Sequence, residues 1–225
     1  MLANIPSSGT GSLSALQRYS DMNAIDAILL THLHCDHMLD ACHYIVVRRY
    51  NPAGPQPPVP MYAPLGAAER ISAAYSPAYG VENEAIDDVY TFYGLQPGTF
   101  PLGPFTVTVD RVNHPVETYG VRVEQAGKIL TYSADTAPCE ALLRLAAGAD
   151  LFLCEASYSD EADNPPGLHL TGREAGEAAT KADVGRLLLT HLVPAWVSEA
   201  SIVDAAVAAY AGPVEVVRPG ARYDL

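Results

Sequence analysis

The spacing of apolar positions divides this chain into short, regular blocks. Residues 1–11 are irregular and rich in Ser and Gly, and Ser12 to Tyr19 then puts Leu13 and Leu16 on one face, which predicts a short helix. Ala24 to Thr31 reads Ala-Ile-Asp-Ala-Ile-Leu-Leu-Thr and predicts a buried strand. From Asp36 onward Met38, Cys42, Ile45 and Val46 recur at helical spacing. Asn51 to Pro60 holds five prolines and must be a loop, since proline lacks a backbone N–H. Val59 to Ala63 predicts a strand and Gly66 to Tyr75 a helix. Tyr75 to Gly98 follows neither period, with Tyr75, Tyr79, Tyr90, Phe92 and Tyr93 set among acids. Core packing accounts for most of these rings, leaving one or two to line a substrate mouth.

The second half is richer in strands. Phe105 to Val112, Tyr119 to Gln125 and Lys128 to Ser133 predict three, the last two joined by a turn at Ala126-Gly127. Helices are predicted over Glu140 to Ala147, Thr171 to Ala182 and Ser198 to Tyr210, the last with Ser198 as N-cap. Asp150 to Glu155, Arg186 to Thr190 and Val214 to Val217 predict further strands. The mixture is α/β, and the absence of repeats and linkers predicts a single domain over 1–225. Reactive residues recur just past apolar strand ends: His32, Asp135, Glu155 and His191. Strand ends of a layered sheet can converge on one edge, where ligands meet.

Composition narrows the function. Hydrophobic residues make up 49% of the chain, enough for a sizeable core. With 13 basic and 26 acidic residues the formal charge is −13, which disfavours nucleic acid as a partner, because phosphate binding draws on Lys and Arg. The cysteines Cys35, Cys42, Cys139 and Cys154 form no Cys-x-x-Cys pair and read as reduced thiols of a cytoplasmic protein. No apolar run approaches the ~18 residues of a membrane span, and the first residues have no signal-peptide pattern.

The densest chemistry lies at His32, His34, Asp36 and His37, in the order His-x-His-x-Asp-His. A lone histidine on an apolar strand is usually a packed core residue. Four metal-competent side chains this close have no comparable structural reason, and a divalent cation would offset the cost of burying them. His32 and His34 stand two residues apart at a strand end and point the same way, while Asp36 and His37 turn into a helix and can address a second position. Further ligands are available in Asn113-His114-Pro115, Ser133-Ala134-Asp135-Thr136 and Leu189-Thr190-His191-Leu192, where the Asp135 carboxylate can bridge two cations. Nitrogen and carboxylate donors without thiolate suit Zn²⁺, and also Mn²⁺ or Fe²⁺. Cys35 alternates away from the histidine pair and reads as a packing residue.

From about residue 12 to the C-terminus, this order resembles the metallo-β-lactamase superfamily residue by residue. The resemblance implies a four-layer αβ/βα sandwich and two divalent metal ions. His32, His34 and His114 would hold one, Asp36, His37 and His191 the other, with Asp135 bridging. The antibiotic-hydrolysing branch uses a Cys ligand and lacks part of this set; the fuller set resembles the phosphodiesterase branch that includes ribonuclease Z. Cys154-Glu155-Ala156-Ser157 resembles its Glu-Ala-Thr segment, and Leu168-His169-Leu170-Thr171-Gly172 its His-Ser-Thr segment. That likeness implies a catalytic set of Asp36, Glu155 and His169. Asp36 would orient the attacking water, His169 would contact the scissile phosphate and protonate the leaving oxygen, and Glu155 would orient His169. The bland alternative for His169 is a surface residue at the start of a helix.

The chain departs from ribonuclease Z in its charge and in showing no Gly- and Pro-rich arm with basic residues. Stretches over 32–50, 113–122, 132–158 and 168–196 are similar to bacterial atypical class II 3′,5′-cyclic nucleotide phosphodiesterases. The expected activity is hydrolysis of a small phosphodiester such as a cyclic nucleotide. Alternatives are an RNA 3′-processing endonuclease, a thioester or lactone hydrolase on the same metals, and a degenerate binding fold, which the intact ligand set disfavours. Members of this family open with two or three strands and a Gly-rich segment, whereas only 31 residues precede His32 and Ser7-Ser8-Gly9-Thr10-Gly11 is similar to that segment's tail. The expectation is a sandwich lacking its first strands, with an exposed apolar edge near Ala24 to Leu30 that invites pairing into a homodimer.

Overall fold

A computed structural model describes residues 11–77, 83–160, 164–193, 195 and 197–225. The chain divides into two compact units, Met1–Leu95 and Gln96–Leu225. In the first, the elements are α1 (Ser12–Leu16), a 3-10 turn (Met22–Ala24), β1 (Ile28–Leu29), α2 (Cys35–Met38), α3 (Asp40–Arg49), β2 (Val59–Ala63), α4 (Ala67–Tyr75) and β3 (Tyr90–Gly94). The three strands form a parallel sheet in the order β1-β2-β3.

Two predicted elements are shorter than their apolar patterns. Asp21 accepts the N–H of Asn23 and caps the 3-10 turn, which takes Ala24 out of the strand expected over 24–31. The helix expected to Tyr19 ends at Leu16, where Arg18 and Tyr19 bond three residues back, to Ala15 and Leu16. Ile28 and Leu30 pack with Met38, Tyr44, Ile45, Met61 and Tyr90. β1 is an edge strand among the described residues, but the exposed apolar surface expected there is absent, because Ile28, Leu29 and Leu30 retain 2%, 3% and 0% of their exposure. The buried carboxylate of Asp40 accepts the N–H of Leu13 at 2.6 Å and the hydroxyl of Ser12 at 3.0 Å, tying α3 to the start of α1.

The unreadable aromatic stretch resolves mostly into core. Tyr90 is buried and donates its hydroxyl to the carbonyl of Ala41, and Phe92 meets its ring edge-on. Tyr93 is 46% exposed and stacks on Tyr62. Tyr79 and the predicted irregular residues 1–10 lie outside the described residues.

In the second unit the elements are β4 (Gly98–Leu102), β5 (Phe105–Arg111), β6 (Tyr119–Gln125), β7 (Lys128–Tyr132), α5 (Glu140–Ala146), β8 (Leu151–Glu155), α6 (Gly172–Lys181), β9 (Leu187–Thr190), α7 (Glu199–Ala209) and β10 (Val214–Val216). They build one sheet in the order β10-β9-β8-β7-β6-β5-β4. β4 to β7 run antiparallel, and β7 to β10 run parallel through helical crossovers. Ala126 and Gly127 take φ of 50° and 77°, the doubly left-handed turn that suits a two-residue hairpin. Phe152, Cys154, Leu187 and Leu189 on the sheet pack against Leu142, Ala175, Ala179, Ile202 and Ala206 on the helices. Thr171 and Glu174 form a reciprocal capping box at the start of α6, and Ser198 caps α7 as predicted. Because β5 and β7 both oppose β6, and β7, β8 and β9 are parallel, four strands finish at one edge of this sheet. The segments leaving that edge carry His114, Asp135, Glu155 and His191. All four cysteines are free thiols, and no helix among the described residues is long and apolar enough to cross a membrane.

Candidate metal centre

In the first unit the residues after β1 gather four donors. His32 is fully buried, and its Nδ1 lies 3.1 Å from the hydroxyl of Thr31, so that Nε2, also buried, is the ring nitrogen turned away from Thr31. The ring of His32 stands 5.0 Å from that of His34 and 4.1 Å from that of His37. Asp36, in the first turn of α2, places Oδ2 3.2 Å from Nε2 of His37. Cys35 is exposed, so the packing role expected of it is corrected: it begins α2 facing away from the core.

The second unit carries its own donors, past the edge of its sheet. Nδ1 of His114 lies 2.8 Å from the carbonyl oxygen of Leu168. A carbonyl only accepts, so Nδ1 carries the proton and Nε2 is the basic atom. Nε2 of His191 lies 3.5 Å from Oδ2 of the buried Asp135, while its Nδ1 lies 2.8 Å from the hydroxyl of Ser157. Two residues here occupy left-handed backbone, Ala134 at φ 55° and His191 at φ 57°. Such backbone costs of order 1–2 kcal/mol for a residue with a Cβ and persists where the surroundings enforce it.

Glu155 ends β8 with no solvent exposure, and four donors converge on it. Oε1 accepts the N–H of Thr136 at 2.7 Å and Nδ1–H of His169 at 2.9 Å. Oε2 accepts the hydroxyl of Ser157 at 2.9 Å and the N–H of Leu170 at 3.3 Å. These bonds offset the cost of burying a carboxylate and fix the His169 tautomer, with Nε2 turned outward. The His169 ring stands 5.5 Å from that of His114 and 5.3 Å from that of His191. Donor atoms of Asp135, His169 and His191 all lie within 4.8 Å of one another. Tyr158 meets the His169 ring edge-on at 5.3 Å, and burial, then the charge of Glu155, raises its phenol pKa, so it stays a neutral donor near pH 7. Sequence reasoning passed over Ser157 and Thr136 as partners of Glu155. Ser157 had a signal: two residues beyond a strand-ending glutamate, it faces the same side.

The sequence profile of the Beta-lactamase superfamily domain matches residues 8–192. The chain belongs to the β-lactamase superfamily. It is 43% identical over 219 residues to an uncharacterized protein of Mycobacterium leprae (strain TN), covering 96% of this chain and 76% of that protein. It is 32% identical over 197 residues to ribonuclease Z of Mycolicibacterium gilvum (strain PYR-GCK), covering 76% of this chain and 67% of that enzyme. The crystal structure of the metallo-beta-lactamase fold protein YhfI from Bacillus subtilis superposes with a TM-score of 0.83 at 25% identity, over 97% of this chain and 85% of that one. The fold is therefore that of the metallo-β-lactamases, as the sequence implied, and a superfamily member of this kind is a metal-dependent hydrolase. The donor chemistry fits divalent cations. Imidazole and carboxylate groups cluster, and His32, His114 and His191 are each anchored through Nδ1 so that Nε2 is presented, the usual support of a metal-binding histidine.

Proposed function

We propose that the protein is a dinuclear metal-dependent phosphodiesterase acting on a small phosphodiester such as a 3′,5′-cyclic nucleotide, in the cytoplasm. His32, His34 and His114 would hold one divalent cation, Asp36, His37 and His191 the other, and Asp135 would bridge them; Zn²⁺ suits these donors best. Bound cations of this kind supply a Lewis acid and an activated water. Asp36 would orient the attacking water. Glu155 holds His169 through Nδ1–H, and in the doubly protonated form of the ring Nε2–H would hydrogen-bond a phosphoryl oxygen and give that proton to the leaving oxygen, which leaves the ring neutral.

The observation that carries this reading is the buried bond from His169 to Glu155 at 2.9 Å. A histidine held on a buried carboxylate, beside the proposed ligand set, supports a role for that ring in protonating an alkoxide leaving group. The 32% identity to a ribonuclease Z favours RNA 3′-processing as a second reading. The formal charge of −13 opposes it, because a transfer RNA brings dozens of phosphates to an acidic surface. Protein reconstituted with Zn²⁺ or Mn²⁺ and assayed in parallel on cyclic AMP, bis-p-nitrophenyl phosphate and pre-transfer RNA separates the two. Turnover of the small diesters without RNA cleavage is expected. RNA cleavage with inert cyclic AMP would establish the second reading, and hydrolysis of thioesters or lactones alone would overturn both.

A further inference from the structure

We infer that Ser157 is a positioning residue that ties His191 to the same buried carboxylate that holds His169. The inference rests on the reading of His191 as a metal ligand. One oxygen, Ser157 Oγ, lies 2.8 Å from His191 Nδ1, 2.9 Å from the His191 carbonyl oxygen and 2.9 Å from Glu155 Oε2. The hydroxyl owns one proton and three neighbours compete around it. A carboxylate is the strongest acceptor of the three, so the proton goes to Oε2. The oxygen is then free to accept, and His191 Nδ1–H donates to it. This assignment runs from His191 Nδ1–H to Ser157, from Ser157 O–H to Glu155 Oε2 and from His169 Nδ1–H to Glu155 Oε1, and it leaves the His191 carbonyl oxygen beside Ser157 without a proton from it.

Two consequences follow for the histidines. Both rings are held as the tautomer with a basic Nε2, one directly by Glu155 and one through Ser157. The left-handed backbone of His191, φ 57°, folds the residue around the hydroxyl so that its ring nitrogen and its own carbonyl meet the same oxygen. Ser157 is fully buried, so water does not compete for these bonds. The carboxylate thus serves the proposed proton donor with one oxygen and a metal-binding histidine with the other.

The test uses the whole chain, with Ser157→Ala and Ser157→Thr beside the unaltered protein. The first readout is the long-range ¹H–¹⁵N spectrum of the metal-free protein. His191 should give the Nδ1–H pattern in the unaltered protein and in Ser157→Thr, and should lose it or mix tautomers in Ser157→Ala. The second is Zn²⁺ affinity by chelator competition. Ser157→Ala should weaken one of two sites by about 10–100-fold, the usual effect of removing a ligand's hydrogen-bond partner, with affinity restored in Ser157→Thr. Unchanged His191 signals and affinity in folded Ser157→Ala would overturn the inference, as would a Ser157→Thr variant no better than Ser157→Ala. If Ser157→Ala does not fold, the spectrum of Ser157→Thr decides alone: loss of the Nδ1–H pattern there overturns it. Neither readout involves substrate, so a wrong assignment of the phosphodiester leaves this test standing.

Discussion

At the scale of single residues, Glu155 is where burial, charge and hydrogen bonding meet. Its two oxygens accept backbone N–H groups from opposite sides, Thr136 on Oε1 and Leu170 on Oε2. Glu155→Gln keeps the shape, yet whichever way the amide turns, its NH₂ faces a buried N–H that then has no acceptor. A buried donor left in that state costs about 1–3 kcal/mol. Urea unfolding of Glu155→Gln should therefore show a loss of that size, together with a steep fall in turnover; a variant as stable as the parent would contradict the bond pattern. The sequence marked Glu155 by its place at an apolar strand end, but His169, and the roles of both, only through a likeness to known segments, and nothing in their local pattern announced that the two would bond. The three histidines and the one acid within 32–37 were legible because their density had no structural explanation. Ser157 was legible only as a neighbour of Glu155 two residues away; its bond to His191 was not, because that partner is distant in sequence.

At the scale of elements, strands with continuous apolar runs and helices with caps were readable, as at β8, β9 and α6. What failed had competing local chemistry. Asp21 caps a 3-10 turn that takes in Ala24, the first residue of the expected strand, and β4 carries Gly98 and Pro101 in a strand whose pattern is weak. Two element-scale predictions follow from contacts. α6 lies against α7 at glycines: a Cβ on Gly172 would stand 2.3 Å from the carbonyl oxygen of Ile202, and one on Gly176 2.6 Å from that of Ala206. Alanine ordinarily stabilises a helix over glycine by up to about 1 kcal/mol. Here backbone must move instead, so Gly172→Ala should lower stability by about 1–3 kcal/mol, read as a drop of several degrees in Tm. The second concerns Asp150, which accepts Lys128 Nζ at 2.9 Å and the N–H of Ile129 at 2.8 Å, pinning the start of β7 beside β8. The hydrogen bond from Lys128, then that from Ile129, lowers its pKa below the usual carboxylate value. A lowered folded-state pKa means stabilisation that is complete above the unfolded value near 3.9 and fades as pH falls through the folded one. Asp150→Asn should thus be less stable than the parent at pH 7, with the gap closing below pH 4. A gap constant over that range would contradict the assignment.

At the scale of the whole molecule, acidity and the ligand set jointly favour a small substrate. Turnover of a small diester should depend less on ionic strength than that of an RNA would, since the diester brings one charge to the acidic surface rather than dozens. The central claim is that metal holding and proton delivery belong to different histidines, although donor atoms of His169 and His191 lie close enough to share one cation with Asp135. Metal content and phosphodiester turnover measured together on His169→Ala and His191→Ala test that claim most directly. The account predicts that His169→Ala keeps the metal content of the parent while losing turnover by roughly 10²–10⁴-fold, the usual contribution of a positioned proton donor, and that His191→Ala loses metal. A His169→Ala variant that loses metal as His191→Ala does, or that turns over the best diester at the parent's rate, would contradict it.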